Sequence, residues 1–151
     1  MADGSIEVTG GADDLDDTIS LPSPTLLNKL KSSNLPMNLF HSVNNAFIRK
    51  TIIFTSEGEI ICGWLNNDNI EVEDGEELGL VPRVFAVTIV NYCLQFLGNC
   101  SDLAKEIYKE EEQEQEQDVK SIRLSFGSKN EFILVPDNEF VICVVAERKY
   151  S

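Results

Sequence analysis

Few side chains in this sequence are of the types that most often do chemistry. Its single histidine, His41, lies in a polar stretch between Phe40 and Ser42, and nothing near it in sequence would make it a general base or a metal ligand. The four cysteines, Cys62, Cys93, Cys100 and Cys143, never approach the close spacing of a zinc knuckle, so they read as small apolar core residues with reduced thiols. The run Glu71-Val72-Glu73-Asp74-Gly75-Glu76-Glu77 offers carboxylates to calcium but lacks the alternating Asp order of an EF-hand, and reads as a solvated loop. The other carboxylate clusters also lie in polar tracts, where no burial raises a pKa for acid–base work. No Gly-rich phosphate loop ending in Lys and Ser or Thr occurs, and no Gly-x-Ser-x-Gly elbow presents a nucleophile. Asn99-Cys100-Ser101 matches the glycosylation triplet, but no secretory signal gives it meaning. The expectation is a non-enzymatic chain that holds neither metal nor cofactor.

Charge narrows the partners. The 151 residues include 26 Asp and Glu against 12 Lys and Arg, a formal charge of -14. Such a surface repels phosphate backbones and anionic lipid, which argues against nucleic-acid binding and direct membrane binding. At 42% apolar residues the chain can build one core. Setting aside the acidic tracts leaves roughly 100 residues for it, near the lower end of ordinary domain sizes. No run approaches the ~20 apolar residues of a membrane helix. Ala2 excludes N-myristoylation and Arg148-Lys149-Tyr150-Ser151 is no prenylation box, so a cytoplasmic protein without its own anchor is expected.

The pattern of elements follows from periodicity and punctuation. Residues 1–20 carry Asp3, Glu7, Asp13, Asp14, Asp16 and Asp17 among several glycines, and read as a disordered acidic arm ahead of a single domain over 21–151. Ser23-Pro24 caps a helix of about ten residues with Leu26, Leu27 and Leu30 on its apolar stripe. Phe47 to Thr55 and Glu59 to Trp64 form a hairpin about the turn Ser56-Glu57-Gly58. Residues 66–79 form an acidic loop. Pro82 opens a second helix reaching Leu97, closed by Gly98-Asn99, and Ser101-Asp102 caps a third running into the Glu/Gln-rich insert 110–118. Three strands follow: Ser121 to Phe126, Glu131 to Val135 and Glu139 to Ala146. The fold class is therefore α+β, a five-stranded antiparallel sheet with two main helices, in the order helix, two strands, helix, three strands.

The second helix is too apolar for a single packed face. At 100° per residue, Thr88, Asn91 and Gln95 form one narrow polar stripe, whereas Val84, Phe85, Val87, Ile89, Val90, Tyr92, Cys93, Leu94, Phe96 and Leu97 cover most of the remainder. A helix lying on a sheet needs only about a 100° apolar arc, so the excess must meet a partner. The strand Ser121 to Phe126 is a candidate open edge for the same purpose.

The segment Ile122-Arg123-Leu124-Ser125-Phe126 followed by Lys129-Asn130-Glu131-Phe132-Ile133-Leu134-Val135-Pro136-Asp137-Asn138-Glu139-Phe140 resembles the C-terminal signature of the roadblock dynein light-chain family. Thr51-Ile52-Ile53-Phe54-Thr55-Ser56-Glu57-Gly58, with Pro82-Arg83-Val84-Phe85-Ala86, Asn91 and Gly98-Asn99, looks more like the roadblock subunits of the Ragulator scaffold. The resemblance spans about Ser23 to Ala146; the arm, the acidic loop and the insert exceed the family's compact core. It implies a profilin-like α/β arrangement and an adaptor that dimerises, with itself or with another roadblock-fold subunit, through its second helix and third strand. The implied interface comprises Val84, Phe85, Thr88, Tyr92, Ile122, Leu124 and Phe126. It further implies docking of small Rag-type GTPases through the complex, in nutrient and TOR signalling at the lysosomal or vacuolar surface. The alternative is a roadblock-type light chain that binds the intermediate chain of cytoplasmic dynein.

Overall fold

In the computed structural model, which describes residues 17–26, 46–65, 79–110, 118–137 and 139–148, the chain forms one five-stranded antiparallel sheet. Its strands are β1 (Ala46–Phe54), β2 (Ile60–Leu65), β3 (Ile122–Phe126), β4 (Asn130–Pro136) and β5 (Val141–Arg148), in spatial order β2-β1-β5-β4-β3. The hairpin and the meander are where the alternation places them. The last strand starts at Val141, because Asp137 N–H donates to the Phe140 carbonyl at 2.8 Å and Glu139 is left in the turn.

The three central strands are buried on both faces, which is why their sequences are nearly continuous apolar runs. On one face Ile52, Phe54, Leu134, Val141 and Cys143 meet Ala86, Val90 and Cys93 of the long helix α1 (Arg83–Ile107). On the other, Ile48, Ile53, Trp64, Ile133, Ile142 and Val144 form a second cluster, against which Leu26 packs. The Leu26 N–H donates to Ser23 Oγ at 3.1 Å, the capping contact expected of Ser23.

The β1–β2 turn is specified by one residue. Gly58 has φ 92°, a backbone that L side chains rarely adopt, so the turn needs glycine for its conformation, and the tip of Leu94 from α1 packs over it. Its ladder closes with Gly58 N–H on the Thr55 carbonyl at 2.9 Å and Thr55 N–H on the Glu59 carbonyl at 2.8 Å.

Four expectations are corrected. Gly98-Asn99 does not end the second helix and Ser101-Asp102 does not start a third: α1 is one helix of 25 residues, because backbone bonding continues through the weak segment until Tyr108 donates to the Ala104 carbonyl. Pro82 is its extended N-cap, not its first turn. By length and composition α1 could also cross a membrane, although the sequence was expected to hold no such stretch; here one face of it lies on the sheet. Lastly, the acidic arm does not extend to Ser20. Ile19 is buried in the α1-side cluster, its N–H bonds the Val81 carbonyl at 3.0 Å, and the Ser20 carbonyl accepts from Gly63 at 2.9 Å.

Residues 1–16, His41, the stretch 27–45, the loop 66–78, the insert core 111–117, Asn138 and 149–151 lie outside the described residues.

Candidate partner-binding surface

The two edges of the sheet are treated differently. Beside β2, Ser20 accepts from Gly63, and Leu65 exchanges two backbone hydrogen bonds of 3.0 Å with Gly79. Local chain thus covers that edge. β3 pairs with β4 from Ile122↔Leu134 to Phe126↔Asn130, and among the described residues nothing pairs along its outer side. An edge left open in this way is a template for another chain's strand.

Strand periodicity places Ile122, Leu124 and Phe126 on the same face of the sheet as α1. Ile122 is half-buried against the α1-side core, Leu124 is half-buried, and Phe126 at the strand's end is 55% exposed. The alternate positions face the other way. There Arg123 Nη2 lies 2.9 Å from Glu131 Oε1 and 2.8 Å from Oε2 across the β3–β4 pair. The Glu131 side chain is buried and that of Arg123 is 42% exposed, so the guanidinium caps an otherwise interior carboxylate at the edge.

The helix resolves its wide apolar arc into three zones. Ala86, Val90 and Cys93, spaced four and three apart, face the sheet and are fully buried. Phe85, Ile89, Leu94, Phe96 and Leu97 flank them half-covered. The outer zone carries Val84, 81% exposed, with Val87 and Tyr92, 53% exposed, among the polar Thr88, Asn91 and Gln95. Thr88 Oγ1 donates to the Val84 carbonyl at 2.9 Å, so its polarity is satisfied within the helix and its methyl group completes the outer surface. Tyr92 and Phe96 stack with centroids 6.3 Å apart, and Lys50 Nζ sits 4.3 Å over the Phe85 ring.

All seven expected interface residues therefore share one side of the sheet. Val84, Thr88, Tyr92 and Phe126 are open, whereas Phe85, Ile122 and Leu124 also serve the fold. Leu103 and Ile107 add exposed apolar area that the sequence reading did not include. Their three- and four-residue spacing from Phe96 through Cys100 was present in the sequence, but the assumed break at Gly98 concealed it.

Two of the buried thiols, one on each face of the sheet, are held in their neutral form. The hydrogen bond to Cys93, then burial, hold Cys143 well above the ordinary thiol range, and burial pushes Cys62 on the opposite face up to about 11.

No family model and no curated protein matches this sequence. Solved structures do. A roadblock/LC7 domain from Streptomyces avermitilis aligns at TM-score 0.49 with 7% identity, covering 71% of this chain and 72% of its own. Myxococcus xanthus MglB aligns at 0.47 with 14% identity, covering 76% and 73%. A structure of MglB with a tetrameric arrangement aligns at 0.50 with 8% identity, covering 87% of this chain and 79% of that one. The chain has the roadblock fold. At 8% identity the alignment at 0.50 speaks for architecture alone: an antiparallel sheet with β3 at one edge and a long helix, α1, inserted between β2 and β3.

Proposed function

We propose that this chain is a non-enzymatic roadblock-fold adaptor that pairs with another roadblock-fold chain through the outer face of α1 and the edge of β3. One observation carries the reading. The chain covers its β2 edge with its own Ser20 and Gly79, whereas among the described residues nothing pairs with β3 on the side where Val84, Tyr92 and Phe126 stand exposed. A lone protein gains nothing from three large apolar side chains there, whereas a second sheet edge with its own helix would cover them.

Within that reading, the closer likeness of residues 51–58 and 82–86 to Ragulator subunits supports a scaffold that docks Rag-type GTPases in TOR signalling. The chain would be cytoplasmic, and would reach a lysosomal or vacuolar membrane through companion subunits. A net charge of -14 opposes self-association and supports a different, less acidic partner.

Affinity purification of the tagged full chain from its native cell, with identification of every copurifying protein, tests this. Recovery of a second roadblock-fold chain together with small GTPases is the expected result. Recovery of dynein intermediate chain instead would replace the scaffold reading, and a chain that stays monomeric in the lysate would remove the adaptor reading altogether.

A further inference from the structure

The two ends of α1 are held by different means. Up to Leu97 the helix is clamped to the sheet by Ala86, Val90 and Cys93, with Leu94, Phe96 and Leu97 packed on the same cluster. Beyond Leu97 no residue of α1 is buried, and Leu103 and Ile107 are mostly exposed. The second part therefore depends on helix propagation rather than on packing.

Propagation passes through four consecutive weak helix formers, Gly98, Asn99, Cys100 and Ser101. Packing does not demand glycine at the first of them. A Cβ on Gly98 would meet nothing within 4 Å, and its φ is not in the left-handed region. Ser101-Asp102 adds a competing signal, since a serine hydroxyl stabilises backbone that has left the helix as readily as it tolerates backbone within it.

We propose that α1 consists of two cooperative units hinged at Gly98–Ser101, and that its second half opens while the first stays on the sheet. The hinge has a definite neighbour. Leu97, Gly98 and Ser101 form one wall of a cleft of about 520 Å³, whose other walls include Ser56, Lys120 and Asp137. When the second half opens, Ser101 leaves that wall and the mouth of the cleft widens. Access to the cleft is thereby coupled to the order of the helix's second half. Anything that covers Leu103 and Ile107 closes the hinge, and this holds whether or not the chain pairs through β3.

Amide hydrogen exchange on the full chain, wild type and Gly98→Ala, tests the hinge. The amides of Leu103 to Ile107 are expected to exchange at least tenfold faster than those of Val90 to Leu97. Gly98→Ala should slow the former about fivefold, the equilibrium equivalent of the ~1 kcal/mol glycine-to-alanine difference in a helix. One level of protection from Val90 to Ile107, or a Gly98→Ala substitution that leaves exchange of Leu103 to Ile107 unaltered, would overturn the proposal. Simple end fraying belongs to the last outcome, because it does not pass through position 98.

Discussion

Ile19 occupies the space that a side chain at position 63 would need: a Cβ on Gly63 would lie 2.6 Å from Ile19 Cδ1 and 2.8 Å from the Thr51 carbonyl oxygen. Gly63 thus lets the segment Thr18–Ser20 seal the edge of β2 while staying in register with β1. Gly63→Ala is expected to destabilise the chain by about 1–3 kcal/mol, the range for overpacking a filled interior, read as a lower urea midpoint at constant slope. Adding Ile19→Ala should not restore it. The isoleucine tip can be removed, but the Thr51 carbonyl belongs to the ladder and cannot retreat.

The outer face of α1 separates folding from assembly. Val84 is almost wholly exposed, so Val84→Glu should change stability by no more than about 0.5 kcal/mol while burying an unpaired charge in any interface formed there. Phe85→Glu should lower both, since Phe85 packs against the core and under Lys50. Thermal melts beside sedimentation velocity with the copurified partner read the two effects apart. A Val84→Glu chain that assembles with wild-type affinity would take this face out of the interface.

Much of this architecture is visible as pattern. Ile122, Leu124 and Phe126 alternate, Gly58 marks the hairpin turn, and the apolar excess on Val84 to Leu97 announces a face wider than the sheet needs. The difficult parts are those where distant contacts outvote local preference. Ile19 stands alone in an acidic, glycine-rich tract with no periodicity around it, and only its place beside Gly63 and Val81 makes it core. Gly98-Asn99 and Ser101-Asp102 are sound stop and start signals that one more turn of backbone bonding overrides. Glu131 reads as the charged first residue of its strand, and its burial is not legible because it is made with Arg123 in the strand opposite.

That ion pair is expected to behave as a buried charge with a single side open to water. Arg123→Met removes the guanidinium from beside the interior Glu131 carboxylate, and should cost about 2–4 kcal/mol. Replacing both residues by Met should recover most of the loss, because an apolar pair of similar volume avoids the desolvation that the ion pair must offset. A double-mutant cycle by urea unfolding measures the coupling. Equal and additive losses would show that Arg123 contributes through its stem alone.

The buried thiols set an alkaline limit on stability. Burial raises Cys62 from 9.0 to about 11, so the folded chain holds that proton more tightly than the unfolded chain. Below pH 9 both states keep the thiol neutral and its contribution is fully present. As pH rises through 9 toward 11, the unfolded state ionises first and the contribution is lost. Cys143 acts in the same direction, through its hydrogen bond to Cys93 and its burial. Urea unfolding across that window should show stability falling, and Cys62→Ala should fall less steeply although it starts lower because of the cavity it leaves. The same protonation protects Cys62 and Cys143 from alkylation, and burial shields Cys93. Half-buried Cys100 is expected to react first with iodoacetamide in the native chain, and Cys62, Cys93 and Cys143 only at the rate of unfolding. Prompt modification of Cys62 at neutral pH, without loss of structure, would show that the Trp64 side of the sheet opens far more often than its packing allows.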